Sequence, residues 1–148
     1  MESDWKELIE LLQSHGVEFL VVGAHALAFF GRPRYTEDLD LFLRMSKKNQ
    51  IALQSALKEF GITVSDEGAK KLMSQERQML VLGHEPYAVD LLNFLDGVDF
   101  DSAWNSKVPG KVFGAKTWII SKEDFIKTKT ASGRKKDLLD LELLKELG

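Results

Sequence analysis

Three aspartates stand where aspartates are costly. Asp38 and Asp40 lie two residues apart in the run DLDLFLR, residues 38–44. Its alternating leucines predict a β-strand. A period of two puts both carboxylates on one face and Leu39, Leu41 and Leu43 on the other. Neighbouring carboxylates repel, and burial aggravates the repulsion. A hard divalent cation relieves it, because such ions prefer carboxylate oxygens. Asp90 sits in a second strand-like run, YAVDLLNFL, residues 87–95, where a lone charge is again expensive. If the two strands are neighbours, the three carboxylates converge. They could then hold one or two Mg²⁺ (or Mn²⁺) ions, spaced about 3.5 to 4 Å apart, that clamp the attacking and leaving oxygens of a phosphoryl displacement. The same residues also suit the plain polar face of an edge strand, and a D-x-D alone does not decide between the two.

Gly23 follows an apolar strand-like run and precedes a short helical one. Backbone N–H groups at such a turn can approach a phosphate, although a simple strand-to-helix turn has the same sequence. Lys127, Lys129, Arg134, Lys135 and Lys136 concentrate positive charge within ten residues of an otherwise acidic chain. Near an acidic rim they would supply the second sign that a metal–triphosphate complex needs; singly, each reads as a solvated helix face. Arg32 and Arg34 precede the D-x-D. Either can touch a phosphate or the acceptor, or pair with Glu37. Thr36 reads as a strand-entry hydroxyl. His25 suits a structural contact better than the site. His15 and His84 show no metal-ligand spacing. Asp137 and Asp140 read as helix-start charge and solvent face. The scattered Trp5, Trp104 and Trp118 form no stacking platform and default to packing.

These groups need a scaffold, and 148 residues suffice for one domain with a full core. The chain has 44% hydrophobic and 29% charged residues, the balance of a globular protein. It has no cysteine, which excludes disulfides, a thiolate nucleophile and a cysteine zinc site. A net charge of −3 argues against a globally basic nucleic-acid binder. No apolar run approaches the roughly 20 residues that cross a bilayer. The acidic start, Met1 to Asp4, lacks the basic stretch of a signal peptide. The expectation is a cytoplasmic protein without a membrane partner.

Patterning predicts helices over 3–15, 24–30, 46–60, 66–76, 121–130 and 135–147, and a helical turn at 99–104. Asp4 with Glu7 and Ser121 with Asp124 read as capping pairs, and Ser46 as a cap. Leu138, Leu139, Leu141 and Leu144 are expected to pack inward. Strands are predicted at 17–22, 38–44, 77–82 and 87–94, the last two as a hairpin, with short pieces at 111–113 and 117–120. The class is α+β: a small, twisted mixed sheet flanked by helices in a single domain, with a C-terminal helical segment at about 121–148.

A strand, a glycine turn with a short helix, and D-x-D on the next strand resemble the core of the nucleotidyltransferase superfamily, the DNA polymerase β-like fold. The family pattern of hG[GS], then [DE]h[DE]h, then a later carboxylate is matched by Val22-Gly23-Ala24, Asp38-Leu39-Asp40-Leu41 and Asp90. The run from Gly23 through Gly31 and Arg34-x-Thr36 is similar to that of small prokaryotic members, including toxins of the AbiEii kind. The tail FIKTKTASGRKKDLLDLELL, residues 125–144, is similar to their lysine-bearing helix followed by an R-x-K-D-x-x-D-like segment.

The resemblance implies transfer of a nucleoside monophosphate from a nucleoside triphosphate to a hydroxyl of an RNA such as tRNA, a protein or a small molecule. It implies Asp38, Asp40 and Asp90 as catalytic and metal-binding residues. It implies Gly23, Ala24, Arg34, Thr36 and Lys129 around the nucleotide, with Lys129 on the triphosphate. Asp137 is a partner for a basic side chain in the same pattern. Ala24 departs from it: a serine there would offer a hydroxyl to the triphosphate. A degenerate nucleotide- or partner-binding module, as part of a toxin–antitoxin system, is the alternative. A homo-oligomer or a cognate partner protein would suit either reading.

Overall fold

The computed structural model describes residues 2–31, 38–83 and 88–146. The candidates Arg32, Arg34, Thr36, Glu37 and His84 lie outside the described residues, as does the hairpin turn up to Tyr87. Among the described residues, no helix is long and apolar enough to cross a membrane.

The chain opens with helix α1 (Glu2–Ser14). Its stripe of Trp5, Leu8, Ile9 and Leu12 is buried, as the helical spacing predicts. Asp4 lies within this helix rather than capping it. Strand β1 (Phe19–Val22) follows, with all four residues buried. It runs directly into the short helix α2 (Gly23–Phe29). Strand β2 (Leu39–Leu43) starts one residue after Asp38.

Helix α3 (Lys47–Phe60) is capped by Ser46, whose hydroxyl accepts from the Asn49 N–H, and closes on the left-handed Gly61. Helix α4 (Asp66–Leu72) stops four residues short of the predicted Glu76. The chain beyond it wraps around the buried Asn93, whose Nδ2 donates to the carbonyls of Leu72, Ser74 and Glu76. Strands β3 (Met79–Leu82) and β4 (Val89–Leu92) pair antiparallel, as predicted.

Helix α5 (Phe100–Asn105), capped by Asp99, leads into strands β5 (Val108–Val112) and β6 (Ala115–Ile119). These strands are longer than the predicted pieces. Pro109 is accommodated because β5 is the edge of the sheet. Helices α6 (Lys122–Ser132), capped by Ser121, and α7 (Lys135–Lys145) complete the chain.

The six strands form one mixed sheet in the order β3-β4-β2-β1-β6-β5. β2 pairs antiparallel with β1 and parallel with β4. The parallel step fixes the site, because it brings the N-terminal ends of β2 and β4 to the same end of the sheet. Leu39, Leu41, Leu43, Val89 and Leu91 are buried on one face. α1 packs on α3 and β6, and α6 packs on α7.

α7 departs from expectation. Leu138 and Leu139 are 46% and 58% exposed and Leu141 is half-buried, whereas Asp137 and Asp140 are 3% and 2% exposed. Only Leu144 packs inward as expected. The face defined by residues 137, 140 and 144 has ordinary helical spacing, and it is turned inward because its two acids meet a cation there. The tryptophans pack as expected, Trp5 in the core and Trp104 and Trp118 against it. Trp104 and Trp118 bracket Lys107, whose Nζ lies 4.1 and 4.6 Å from the two ring centroids.

Candidate active site

Asp40 and Asp90 are register partners on the parallel pair β2–β4. Adjacent strands stand about 4.8 Å apart, so two side chains on the same face meet. Their carboxyls are hydrogen-bonded to each other. Burial, then Asp90, then the charge of Asp38 push the Asp40 pKa up to about 7, against a smaller opposing pull from Lys129. Without a cation, burial and the neighbouring acids favour the protonated form of Asp40. Asp38 lies just outside the strand, and its Oδ1 accepts the Ala88 N–H at 3.2 Å. All three aspartates line one cleft of about 280 Å³.

The β1–α2 turn passes directly beneath Asp40. Gly23 has a φ of +67°, and a Cβ there would overlap Asp40 Oδ2 and lie 3.0 Å from its Cγ. Glycine therefore meets two needs at once, a left-handed backbone and room for a carboxylate. Ala24 lines the same cleft. His25 is hydrogen-bonded to the Asp38 backbone, and burial lowers its pKa. Its ring packs 4.9 Å from Phe113 and 6.3 Å from Trp5. That is the structural role its position suggested. Its buried Nε2 has no hydrogen-bond partner among the described residues.

The opposite wall comes from α6 and α7. Lys129 Nζ sits 2.9 Å from Asp137 Oδ1 and 3.4 Å from Asp140 Oδ2. Arg134 Nε reaches Asp137 Oδ2 at 3.0 Å, and the Ser132 hydroxyl donates to the same oxygen. Burial acts to raise the Asp137 pKa. The bonds from Ser132 and Lys129, the Lys129 charge and the Arg134 bond outweigh it and hold the pKa down at about 2. Asp137 and Asp140 are therefore not a solvent face. The basic partner that the family tail implies for Asp137 is present in Lys129 and Arg134; the burial of Asp140 was under-read, although its three-residue spacing from Asp137 behind a lysine-bearing helix was the available signal. Lys129 does reach the cleft, but as the centre of an ion-pair network.

Arg134 and Lys136 also line the cleft, so it holds five carboxylates against three cationic side chains. The formal surplus is negative, which favours a cation. Among the described residues, no three acidic or imidazole side chains are arranged to enclose an ion as they stand. One Asp38 oxygen is engaged by Ala88, and Asp40 and Asp90 are bonded to each other. The donor set still fits Mg²⁺, which commonly takes one or two carboxylates and completes its shell with water and substrate phosphates.

A second arm of about 450 Å³ opens from the same Gly23, Asp40, Asp90 and Lys129. It runs along β4 to Leu92, Phe94 and Leu95, with Met79 and Arg77 beside them. Nothing in the sequence patterning singled out Arg77 or Phe94.

No curated protein matches the chain. A family model described as "Nucleotidyl transferase of unknown function (DUF2204)" matches residues 1–148, the entire sequence. Its description agrees with the glycine turn, the paired strands and the acidic cleft, and the chain belongs to this nucleotidyl transferase family.

Proposed function

We propose that the protein is a metal-dependent nucleotidyltransferase that moves a nucleoside monophosphate onto a hydroxyl of an RNA, a protein or a small molecule. The observation that carries this reading is the Asp40–Asp90 pair. Two like-charged groups are held side by side at the end of a parallel strand pair, against a glycine turn that leaves room for nothing else. Asp40 and Asp90, with Asp38 beside them, would hold Mg²⁺ or Mn²⁺. That ion supplies charge neutralisation at the phosphates when bound.

The chain's own groups do the rest by positioning. Gly23 and Ala24 line the cleft with Lys129, Arg134 and Lys136; their N–H groups would meet the phosphates, and the three cations would balance the phosphate charge. The acceptor oxygen bonds to the α-phosphorus, and the bond from that phosphorus to the bridging oxygen breaks as pyrophosphate leaves. Asp90 takes up the proton of the acceptor hydroxyl and passes it to solvent. A cytoplasmic setting, where nucleoside triphosphates are made, suits this chemistry.

The test is transfer of label from α-³²P nucleoside triphosphates to bulk RNA and protein. Asp40→Asn and Asp90→Asn should each reduce transfer by at least about a thousandfold with the fold intact, since each removes charge aimed at the transition state. A chelator should abolish transfer, and added Mg²⁺ or Mn²⁺ should restore it. Wild-type-like transfer by either variant defeats the mechanism.

A second reading has its own support. Lys129 is already bonded to Asp137 and Asp140, and Ala24 lacks a hydroxyl. A binding module that retains a nucleotide without turning it over would have these features. Tight triphosphate binding by calorimetry, with no labelled product from any of the four nucleotides, would favour it.

A further inference from the structure

The two arms of the cleft differ in chemistry. One is lined by carboxylates and by Lys129, Arg134 and Lys136. The other shares Asp40, Asp90, Lys129 and Arg134 with the first and continues beyond them along Met79, Leu92, Phe94 and Leu95, with Arg77 and Asp96 beside these. Arg77 is not placed there as a free charge. Its Nη1 donates to Asp96 at 2.7 Å, so its charge is matched. Its guanidinium lies over the Phe94 ring, 4.9 Å from the centroid. The result is a flat group braced from behind, with a side chain that is 64% exposed.

A guanidinium backed by a phenyl ring is a stacking surface, and nucleobases stack on aromatic and guanidinium planes alike. β4 ends at Leu92 and the chain bends at Asn93 before Phe94, and the arm is lined in turn by Asp90, Leu92 and Phe94. A nucleotide with its α-phosphate at Asp90 would lay its base along that lining. The stretch beyond the shared charges, where Arg77 is matched by Asp96 and the walls are apolar, is poorly suited to a triphosphate and well suited to a base.

We infer that the Arg77–Phe94 plate is the nucleobase subsite for the incoming nucleoside triphosphate. Its base stacks on Arg77 while its phosphates occupy the carboxylate arm. This assignment rests on the nucleotidyltransferase reading and adds the location of base recognition to it. A subsite built on stacking rather than on hydrogen bonds tolerates all four bases and favours the larger purines.

The experiment is calorimetric titration, in Mg²⁺, of the wild type and of Arg77→Lys and Phe94→Leu. The titrants are the four nucleoside triphosphates and inorganic triphosphate, which has no base. Arg77→Lys keeps the charge and removes the plane; Phe94→Leu keeps the apolar backing and removes the ring. Wild type should bind the nucleoside triphosphates more tightly than inorganic triphosphate. Arg77→Lys should weaken nucleoside triphosphates about tenfold, as loss of one stacking partner does, and leave inorganic triphosphate unchanged. Phe94→Leu should have a smaller effect in the same direction.

Nucleoside triphosphate affinities that survive Arg77→Lys overturn the inference and leave the nucleotidyltransferase reading standing. Equal weakening of inorganic triphosphate also overturns it, because Arg77 would then be a phosphate contact. If an oligoribonucleotide with a free 3′-hydroxyl loses affinity in Arg77→Lys while the triphosphates do not, the plate serves the acceptor and the inference fails. If wild type binds neither nucleoside nor inorganic triphosphate, the nucleotidyltransferase reading fails as well.

Discussion

Two pairs of aspartates line the same cleft and are treated in opposite ways by the protein. Asp137 and Asp140 are given a lysine, and Asp137 also receives a serine hydroxyl and an arginine. Its pKa sits at about 2. Asp40 and Asp90 are given each other, and the Asp40 pKa rises to about 7. The chain settles the first pair internally and leaves the second unsettled. Groups that contribute stability and groups kept ready for a ligand thus sit on facing walls, told apart by what the fold provides for their charge.

The largest expected break in this comparison comes from the settled wall. Asp137→Ala leaves Lys129, a nearly buried cation, with Asp140 at 3.4 Å as its remaining partner, and should lower unfolding stability by about 3 kcal/mol, the low end of the cost of removing one partner of a buried pair. Urea unfolding would measure it, and a loss below about 1 kcal/mol would reduce the network to decoration.

The next effect is a pH dependence of opposite sign on the two walls. The folded-state pKa of Asp40 is raised, so the folded protein holds an extra proton between pH 3.8 and about 7. Stability of the ion-free protein from this group is therefore present at low pH and lost as pH rises through that window, by a few kcal/mol at most. Asp137 is depressed, so its contribution is present above its ordinary pKa and lost as pH falls from 3.8 towards 2. Thermal unfolding in chelator across this range would reveal the Asp40 loss. Asp90→Asn should make it shallower without abolishing it, because burial is the largest cause and Asp90 comes after it. A flat profile in wild type would remove the distinction between the walls.

The smallest effect sharpens the phosphate end. Ala24→Ser adds a hydroxyl at the cleft and should tighten triphosphate binding by a few-fold, one modest hydrogen bond. Calorimetry with inorganic triphosphate checks it, and weaker binding would place that hydroxyl away from the phosphates.

The unsettled wall was readable because a strand's period of two leaves no choice. Once Asp40 is on a strand, Leu39 and Leu41 must face away from it, and an aspartate on a neighbouring strand-like run becomes its natural partner. α7 was misread for a related reason. A helix with many leucines has more than one apolar stripe, and periodicity cannot say which face a neighbour's charge will claim. Lys129 made that choice for Asp137 and Asp140 by a tertiary contact. Trp104 and Trp118 came together across α5 and β6 in the same way, through Lys107 between them. The Arg77–Phe94 plate was invisible because its members are 17 positions apart and belong to no periodic face.

The Gly23 hydrogen and the Asp40 carboxylate divide one small volume between them. Any bulkier residue at the turn must expel the acid, and any acid at position 40 in this rotamer requires the bare backbone below it. Positions 23 and 40 are therefore a single structural decision written at two places in the chain: a side chain at 23 is closed off for as long as the acid stands at 40.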